Sequence, residues 1–236
     1  MNMPNDENKA SIDKLLFAIA LILVFPPLIL SLGGNWLWAE GWIFSLWLAA
    51  FFMTIVIYLY IKNPALFVER FNMPGSKGQK KWDVFITILL GLGFFCWIAL
   101  MPLDAERFKW TASFPLWARV AGSLLLIGPA QYLFMRSFMD NPYASGLVRI
   151  QDDRKQYVIS SGVYGFVRHP MYSGAAFLFT GAPLFVGSLF GLALGVLLTI
   201  LLAVRSVGEE KMLVNELNGY EDYKKKVKYR LMPFIW

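Results

Sequence analysis

The stretch PMYSGAAFLFTGAPLFVGSLFGLALGVLLTILLAV, residues 170–204, runs for 35 positions without a charged side chain. As one helix rising about 1.5 Å per residue it would measure roughly 50 Å, whereas the hydrocarbon core of a bilayer is about 30 Å thick. The segment is therefore expected to double back. Gly181-Ala182-Pro183 and Gly187-Ser188 place helix-breaking residues near its middle, which predicts a tight hairpin with arms of about 16 residues each. Both ends of such a hairpin return to the same face of the membrane.

Working outward, four further uncharged runs cover residues 15–39, 41–61, 84–103 and 120–135, each close to the roughly 20 apolar residues of one crossing, the last being short. The composition agrees: 57% of the 236 residues are hydrophobic, 16% are charged, and the mean hydropathy is +0.52. That balance lies far from soluble domains. The expectation is an all-α, polytopic integral membrane protein of about six apolar helical segments, the last two forming the hairpin.

Basic residues set the orientation, because Lys and Arg collect in cytoplasmic loops. With the N-terminus inside, 19 of the 22 Lys and Arg fall on the cytoplasmic side, and Arg107, Lys109 and Arg119 remain outside. Both termini are then cytoplasmic. The pI of 9.4 thus reflects topology and contact with anionic headgroups, and nucleic acid is not expected as a partner. The first apolar run is too long for a signal-peptide core and is read as a retained helix. Cys96, the only cysteine, lies inside an apolar run, so no disulfide and no metal site is expected.

Three regions follow. Residues 1–14 read as a polar, mobile tail, 15–138 as a transmembrane scaffold, and 139–236 as the region able to carry chemistry. Within the loop at 62–81, Leu66-Phe67-Val68 and Phe71 are placed along the headgroup boundary as a short interfacial helix. Phe108, Trp110, Phe114 and Trp117 fit an aromatic belt at the opposite boundary.

The polar residues that matter gather at the two ends of the hairpin. Ser161-Gly162-Val163-Tyr164-Gly165-Phe166-Val167-Arg168-His169-Pro170-Met171-Tyr172-Ser173-Gly174 holds the only histidine and enters a helix at Pro170, a start that presents amides and a positive dipole end to an anion. His169 and Tyr172, three apart, share a helical face. Val204-Arg205-Ser206-Val207-Gly208-Glu209-Glu210 closes the other end, with Arg205 and Glu209 on one face. Charge at membrane depth is costly without a purpose, and a cytoplasmic-side active site is the natural expectation. The tyrosines of Gly219-Tyr220-Glu221-Asp222-Tyr223 are candidates for a lid.

These residues resemble the isoprenylcysteine carboxyl methyltransferase family and its membrane methyltransferase relatives. The resemblance rests on Gly162-Val163-Tyr164 leading to Arg168-His169-Pro170-Met171-Tyr172-Ser173-Gly174, the Arg205 to Glu209-Glu210 spacing, Gly219-Tyr220 to Tyr223, and Arg230-Leu231-Met232-Pro233. It covers roughly residues 140–236. It implies S-adenosyl-L-methionine as cofactor, held by Gln156, Tyr157, Val158, Ile159, Tyr164, His169, Pro170, Met171, Tyr172 and Glu209. It also implies Arg205 as the residue meeting an acceptor carboxylate, with Arg205 and Glu209 as the catalytic pair. Position 156 is Gln where eukaryotic members carry a ring, and the N-terminal half has fewer helices than theirs. This short layout is similar to bacterial members, which implies an inner-membrane location.

Methyl transfer from a sulfonium is an in-line displacement, so positioning and exclusion of water dominate. The expected reaction is carboxyl O-methylation of a lipophilic, isoprenylcysteine-like acceptor entering from the lipid, with membrane lipids as surroundings and no obligate protein partner. The alternatives are N-methylation of a phospholipid or small amine, with Glu210 or Tyr220 as proton acceptor, or a membrane NADPH-dependent sterol-type reductase. A transporter would place charges near mid-membrane in both halves, which this chain does not.

Overall fold

The computed structural model describes residues 11–236. The polar tail expected over 1–14 lies outside them as far as residue 10. The remainder of that stretch is already helical: Ser11 caps α1 (Ile12–Gly33), its Oγ accepting the Lys14 N–H at 3.3 Å. After α1 come α2 (Ala39–Lys62), α3 (Pro64–Glu69), α4 (Lys81–Pro102), α5 (Leu116–Leu125), α6 (Gln131–Asp140), α7 (Pro170–Val186), α8 (Leu189–Glu216) and α9 (Tyr220–Lys226). Strands are absent among the described residues, apart from one isolated bridge between Val167 and Tyr229.

The chain is an all-α polytopic membrane protein. α1, α2, α4 with its π-helical extension to Arg107, and α8 are each long and apolar enough to cross a bilayer, and α7 is a shorter apolar helix. The run at 120–135 does not form one uniform helix. It is divided between α5 and α6, which join through a π-helical turn, Leu126–Ala130, containing Pro129. Proline there removes a ladder donor, and the wider turn accommodates it.

The hairpin turns only once. Gly187 adopts φ +86° and Ser188 caps α8, its Oγ accepting the Gly191 N–H at 2.8 Å. Gly181-Ala182-Pro183 lies within α7 as regular helix, contrary to its expected role as a breaker. The α7 carbonyls of Phe185 and Val186 instead accept from Arg119 Nη1 at 3.3 and 3.2 Å, which satisfies the helix end next to the turn. The arms are consequently unequal, because α8, 28 residues long, runs beyond the end of the apolar stretch to Glu216. The buried Asp104 secures the turn by accepting from Ser188 Oγ at 2.6 Å and from the Phe190 N–H at 3.2 Å.

α7 is the central helix, packed against α5, α6 and α8. Its small residues make this possible: a Cβ on Gly122 of α5 would stand 2.6 Å from the Gly181 carbonyl oxygen, the close approach that small residues permit between membrane helices. Leucine, isoleucine and phenylalanine on the outward faces of α1, α4 and α8 are exposed, as a lipid-facing surface requires. α3 does form, but Leu66 and Phe67 are buried against α2 and α6 residues such as Leu59 and Phe138. Its apolar face serves the bundle and not the headgroups.

Candidate active site

The site is built at the end of the bundle where α7 begins and α8 leaves the apolar layer. The loop before α7 is held from two sides. Gly162, at φ +59°, turns beside Asp140, whose carboxylate accepts the Val163 N–H at 2.9 Å and pairs with Arg136 at 2.7 Å. A side chain at Gly162 would run into that carboxylate. Gly162→Ala is expected to lower stability by about 1–3 kcal/mol, from the left-handed conformation and the displaced Asp140. Thermal unfolding in detergent would read this; an unchanged midpoint would refute it.

On the other side the C-terminal strand-like segment is stitched to the loop. The Arg168 and His169 N–H groups donate to the carbonyls of Tyr229 and Arg230 at 3.0 and 2.9 Å, and Ser173 Oγ donates to the Leu231 carbonyl. Arg168 also donates through Nη1 to the Val227 and Lys228 carbonyls at 2.6 and 2.8 Å. Glu210 lies beneath, 2% exposed, accepting from Arg168 Nε at 2.6 Å and from Arg230 Nε at 2.8 Å. One carboxylate thus joins the α7 loop, α8 and the C-terminal segment. This excludes Glu210 as a proton acceptor, because two guanidinium groups occupy its oxygens and hold it ionised.

All ten residues proposed to hold a cofactor line one cleft of about 100 Å³: Gln156, Tyr157, Val158, Ile159, Tyr164, His169, Pro170, Met171, Tyr172 and Glu209. One wall is α7's first turn. There His169 and Tyr172 stack with ring centroids 5.3 Å apart and planes at 12°. The Tyr172 and Ser173 N–H groups turn back to the His169 carbonyl at 3.0 and 3.1 Å, so the helix start offers fewer open amides than its sequence suggests. The opposite wall is α8, where Glu209 accepts from Tyr172 Oη at 2.8 Å with its side chain 24% exposed. His169 Nδ1 lies 3.7 Å from Glu209. His169 Nε2 lies 3.3 Å from Glu210 without the alignment of a hydrogen bond, and is left buried and unpartnered.

The third wall is the loop at 141–159. Gln156 Oε1 accepts the Gln151 N–H at 2.8 Å, so its side chain braces the loop, while Tyr157 stands exposed at the mouth. Tyr220 and Tyr223 of α9 close the floor, both buried, with Tyr223 Oη donating to the Tyr164 carbonyl at 2.7 Å. Burial pushes the Tyr220 phenol well above its ordinary pKa, and the nearby Glu210 and Glu209 carboxylates push it further. Tyr220 therefore stays protonated at neutral pH and is a donor, not a base.

Arg205 stands behind the cleft wall, its guanidinium 5.8 Å from the centre of the Tyr172 ring. It does not line the cleft and is 5% exposed. Its Nε and Nη2 donate to Asp83 at 2.7 and 3.0 Å, and Nη2 also donates to the Gly146 carbonyl at 2.7 Å. Its charge is compensated inside the protein, which suits a residue that positions the loop at Gly146.

Several participants were not anticipated. Asp83 also accepts the Val148 N–H at 2.9 Å, and Glu69 pairs with Arg149 through two contacts at 3.0 and 2.7 Å. Arg149 lines the cleft but is held by Glu69 and Asp153. The first half of the chain therefore supplies supports for the site as well as scaffold. The signal available for Asp83 was an acidic residue directly before an apolar run, where charge is seldom idle.

The donor set suits a zwitterionic, cationic-centred cofactor: a carboxylate at Glu209, aromatic faces at His169 and Tyr172, and a helix start. No curated protein matches the chain. Residues 118–219, which run from within α5 to the residue before α9 and contain the ten candidate cofactor residues and Arg205, match the family model described as phospholipid methyltransferase. By that match the chain is an integral membrane methyltransferase, an enzyme class whose methyl donor is S-adenosylmethionine.

Proposed function

We propose that this enzyme methylates the headgroup of a lipophilic, membrane-resident acceptor, using S-adenosylmethionine bound in the cleft between α7 and α8, on the cytoplasmic side of a bacterial inner membrane. The observation that carries the reading is the convergence of all ten candidate residues, drawn from three separate segments, on that one cleft. When bound, S-adenosylmethionine supplies an electrophilic methyl group on a sulfonium. Glu209 offsets the positive centre, the stacked His169 and Tyr172 rings bound it, and the α7 start faces the cofactor's carboxylate. The 141–159 loop and α9 exclude water from the displacement.

Two acceptors remain in view, an isoprenylcysteine-like carboxylate and a phospholipid amine. We favour the amine. The family description names phospholipids, and the pairing of Arg205 with Asp83 weakens it as a carboxylate clamp. The phospholipid amine is an ammonium ion at neutral pH and must lose a proton to expose the lone pair that attacks, and Glu209 is the carboxylate on the cleft wall able to take it. Arg205 then acts as a positioning residue.

The test is calorimetric titration of the detergent-purified protein with S-adenosylhomocysteine, beside NADPH. Saturable S-adenosylhomocysteine binding, weakened about tenfold or more in Glu209→Gln, is the expected result. Binding of NADPH alone would overturn the reading, and Glu209→Gln binding as tightly as the wild type would remove Glu209 from it.

A further inference from the structure

A second cavity, of about 510 Å³, lies between α1, α2, α4 and α6. Its walls are apolar, with Leu21, Phe25, Phe52, Ile55, Phe94 and Phe134 among them. From Phe17 to Leu28 it follows α1 for about 16 Å. One charged side chain borders it, Arg70, in the segment after α3.

Arg70 differs from the other arginines around the two cavities. Arg149, Arg168 and Arg205 each hold a carboxylate, whereas among the described residues none pairs with Arg70. Its Nη1 makes a single long hydrogen bond to the Ala144 carbonyl at 3.4 Å, and its guanidinium stands 5.3 Å from the Phe138 ring. The side chain is exposed and is the charged group at the border of the cavity. The space it faces is the cavity. A guanidinium has five donors, and most of those on Arg70 are free to meet an anion at the edge of the cavity.

Arg70 also sits at the junction with the cleft. Ala144, whose carbonyl it meets, lines the cleft. Arg70 Nη1 is 3.5 Å from where a Cβ on Gly146 would stand, and the Gly146 carbonyl accepts from Arg205. Met171, on the cleft wall, packs against the cluster containing Phe67, Phe138 and Ala144. An amphiphile with its chain in the cavity would have its headgroup between Arg70 and the α7 start.

We infer that Arg70 and the α1–α2–α4–α6 cavity form the acceptor subsite, taking a lipid whose hydrocarbon chain fills the cavity and whose phosphate is bound by the Arg70 guanidinium. This rests on the lipid-methyltransferase reading and adds the residue that selects the acceptor. The planar fork of arginine matches two phosphate oxygens. The apolar, largely aromatic walls accept acyl chains without side-chain hydrogen bonding, so selection falls on the headgroup charge.

The experiment is titration of the protein, in a neutral maltoside detergent, with dodecyl phosphate, laurate and the uncharged monolaurin. Dodecyl phosphate is expected to bind saturably and to weaken about tenfold or more in Arg70→Gln, with Arg70→Lys intermediate and monolaurin indifferent to both substitutions. Ala18→Phe, which narrows the cavity, should weaken all the amphiphiles. S-adenosylhomocysteine affinity should be unchanged in Arg70→Gln, which reports an intact fold and a separate subsite. Equal dodecyl phosphate affinity in wild type and Arg70→Gln, or an equal loss for monolaurin, would overturn the inference. Tighter, Arg70-dependent binding of laurate would overturn the phosphate assignment. Failure of S-adenosylhomocysteine to bind the wild type would instead count against the methyltransferase cleft, independently of these titrations.

Discussion

Glu210→Gln is expected to destabilise the protein by about 3–5 kcal/mol and to abolish cofactor binding with it. The reason is its place between Arg168 and Arg230, at 2.6 and 2.8 Å, with its own side chain 2% exposed. Removing the charge leaves Arg168, 5% exposed, as a buried cation without a counter-ion. Arg168 in turn anchors the α7 loop to the Val227 and Lys228 carbonyls, so the loss extends to the cleft wall formed by His169 and Pro170. Glu216→Gln is the control, since Glu216 pairs with Lys80 at a surface where both side chains are well exposed, and such pairs contribute about 0–1 kcal/mol. Thermal unfolding in detergent and S-adenosylhomocysteine titration would be compared. A midpoint shift in Glu210→Gln no larger than in Glu216→Gln would refute the clamp.

The second large effect concerns Asp83 and Arg205. Each single substitution, Asp83→Leu or Arg205→Met, should cost about 3–5 kcal/mol, because each strands a buried opposite charge. The double variant should recover much of that loss, giving a strong coupling in the double-mutant cycle. Recovery has a limit: Asp83 also accepts from the Val148 N–H and Gln79, and Arg205 holds the Gly146 carbonyl. If Arg205 instead served mainly as a free clamp for acceptor carboxylate, Arg205→Met would leave stability near wild type and remove turnover. Additive losses in the cycle, with no coupling, would rule out the ion pair as the main role of either residue.

The expectation that failed within the hairpin did so for a tertiary reason. Gly181-Ala182-Pro183 reads as a breaker by local propensity, yet Ala182 is fully buried and Gly181 meets Gly122 across a close helix contact. Tertiary packing rewards small residues there and overrides propensity. Gly187 succeeds as the turn because Ser188 and Asp104 supply the caps that the next helix needs. Likewise Leu66 and Phe67 read as interfacial because one short helix cannot reveal which apolar surface it will meet.

Much of the architecture follows from lengths and periods alone. The uncharged runs announce spans, a 35-residue run cannot cross once, and Pro170 after a glycine-bearing loop starts a helix, since these features depend on bilayer thickness and neighbouring residues. The grouping of candidate residues at both hairpin ends follows from the same geometry, because a hairpin returns its ends together. Pairing of charges does not. Arg205 and Asp83 are 122 positions apart and Arg168 and Glu210 are 42 apart, and no local period records which carboxylate meets which guanidinium. Arg70 makes the point in reverse: in sequence it is one more basic loop residue, and that no carboxylate among the described residues pairs with it becomes visible when the folded chain has distributed the neighbouring carboxylates to Arg149, Arg168 and Arg205. Its place as the charged side chain bordering an apolar cavity is decided in the same way, because the cavity's walls come from helices distant in sequence and form only when those helices pack.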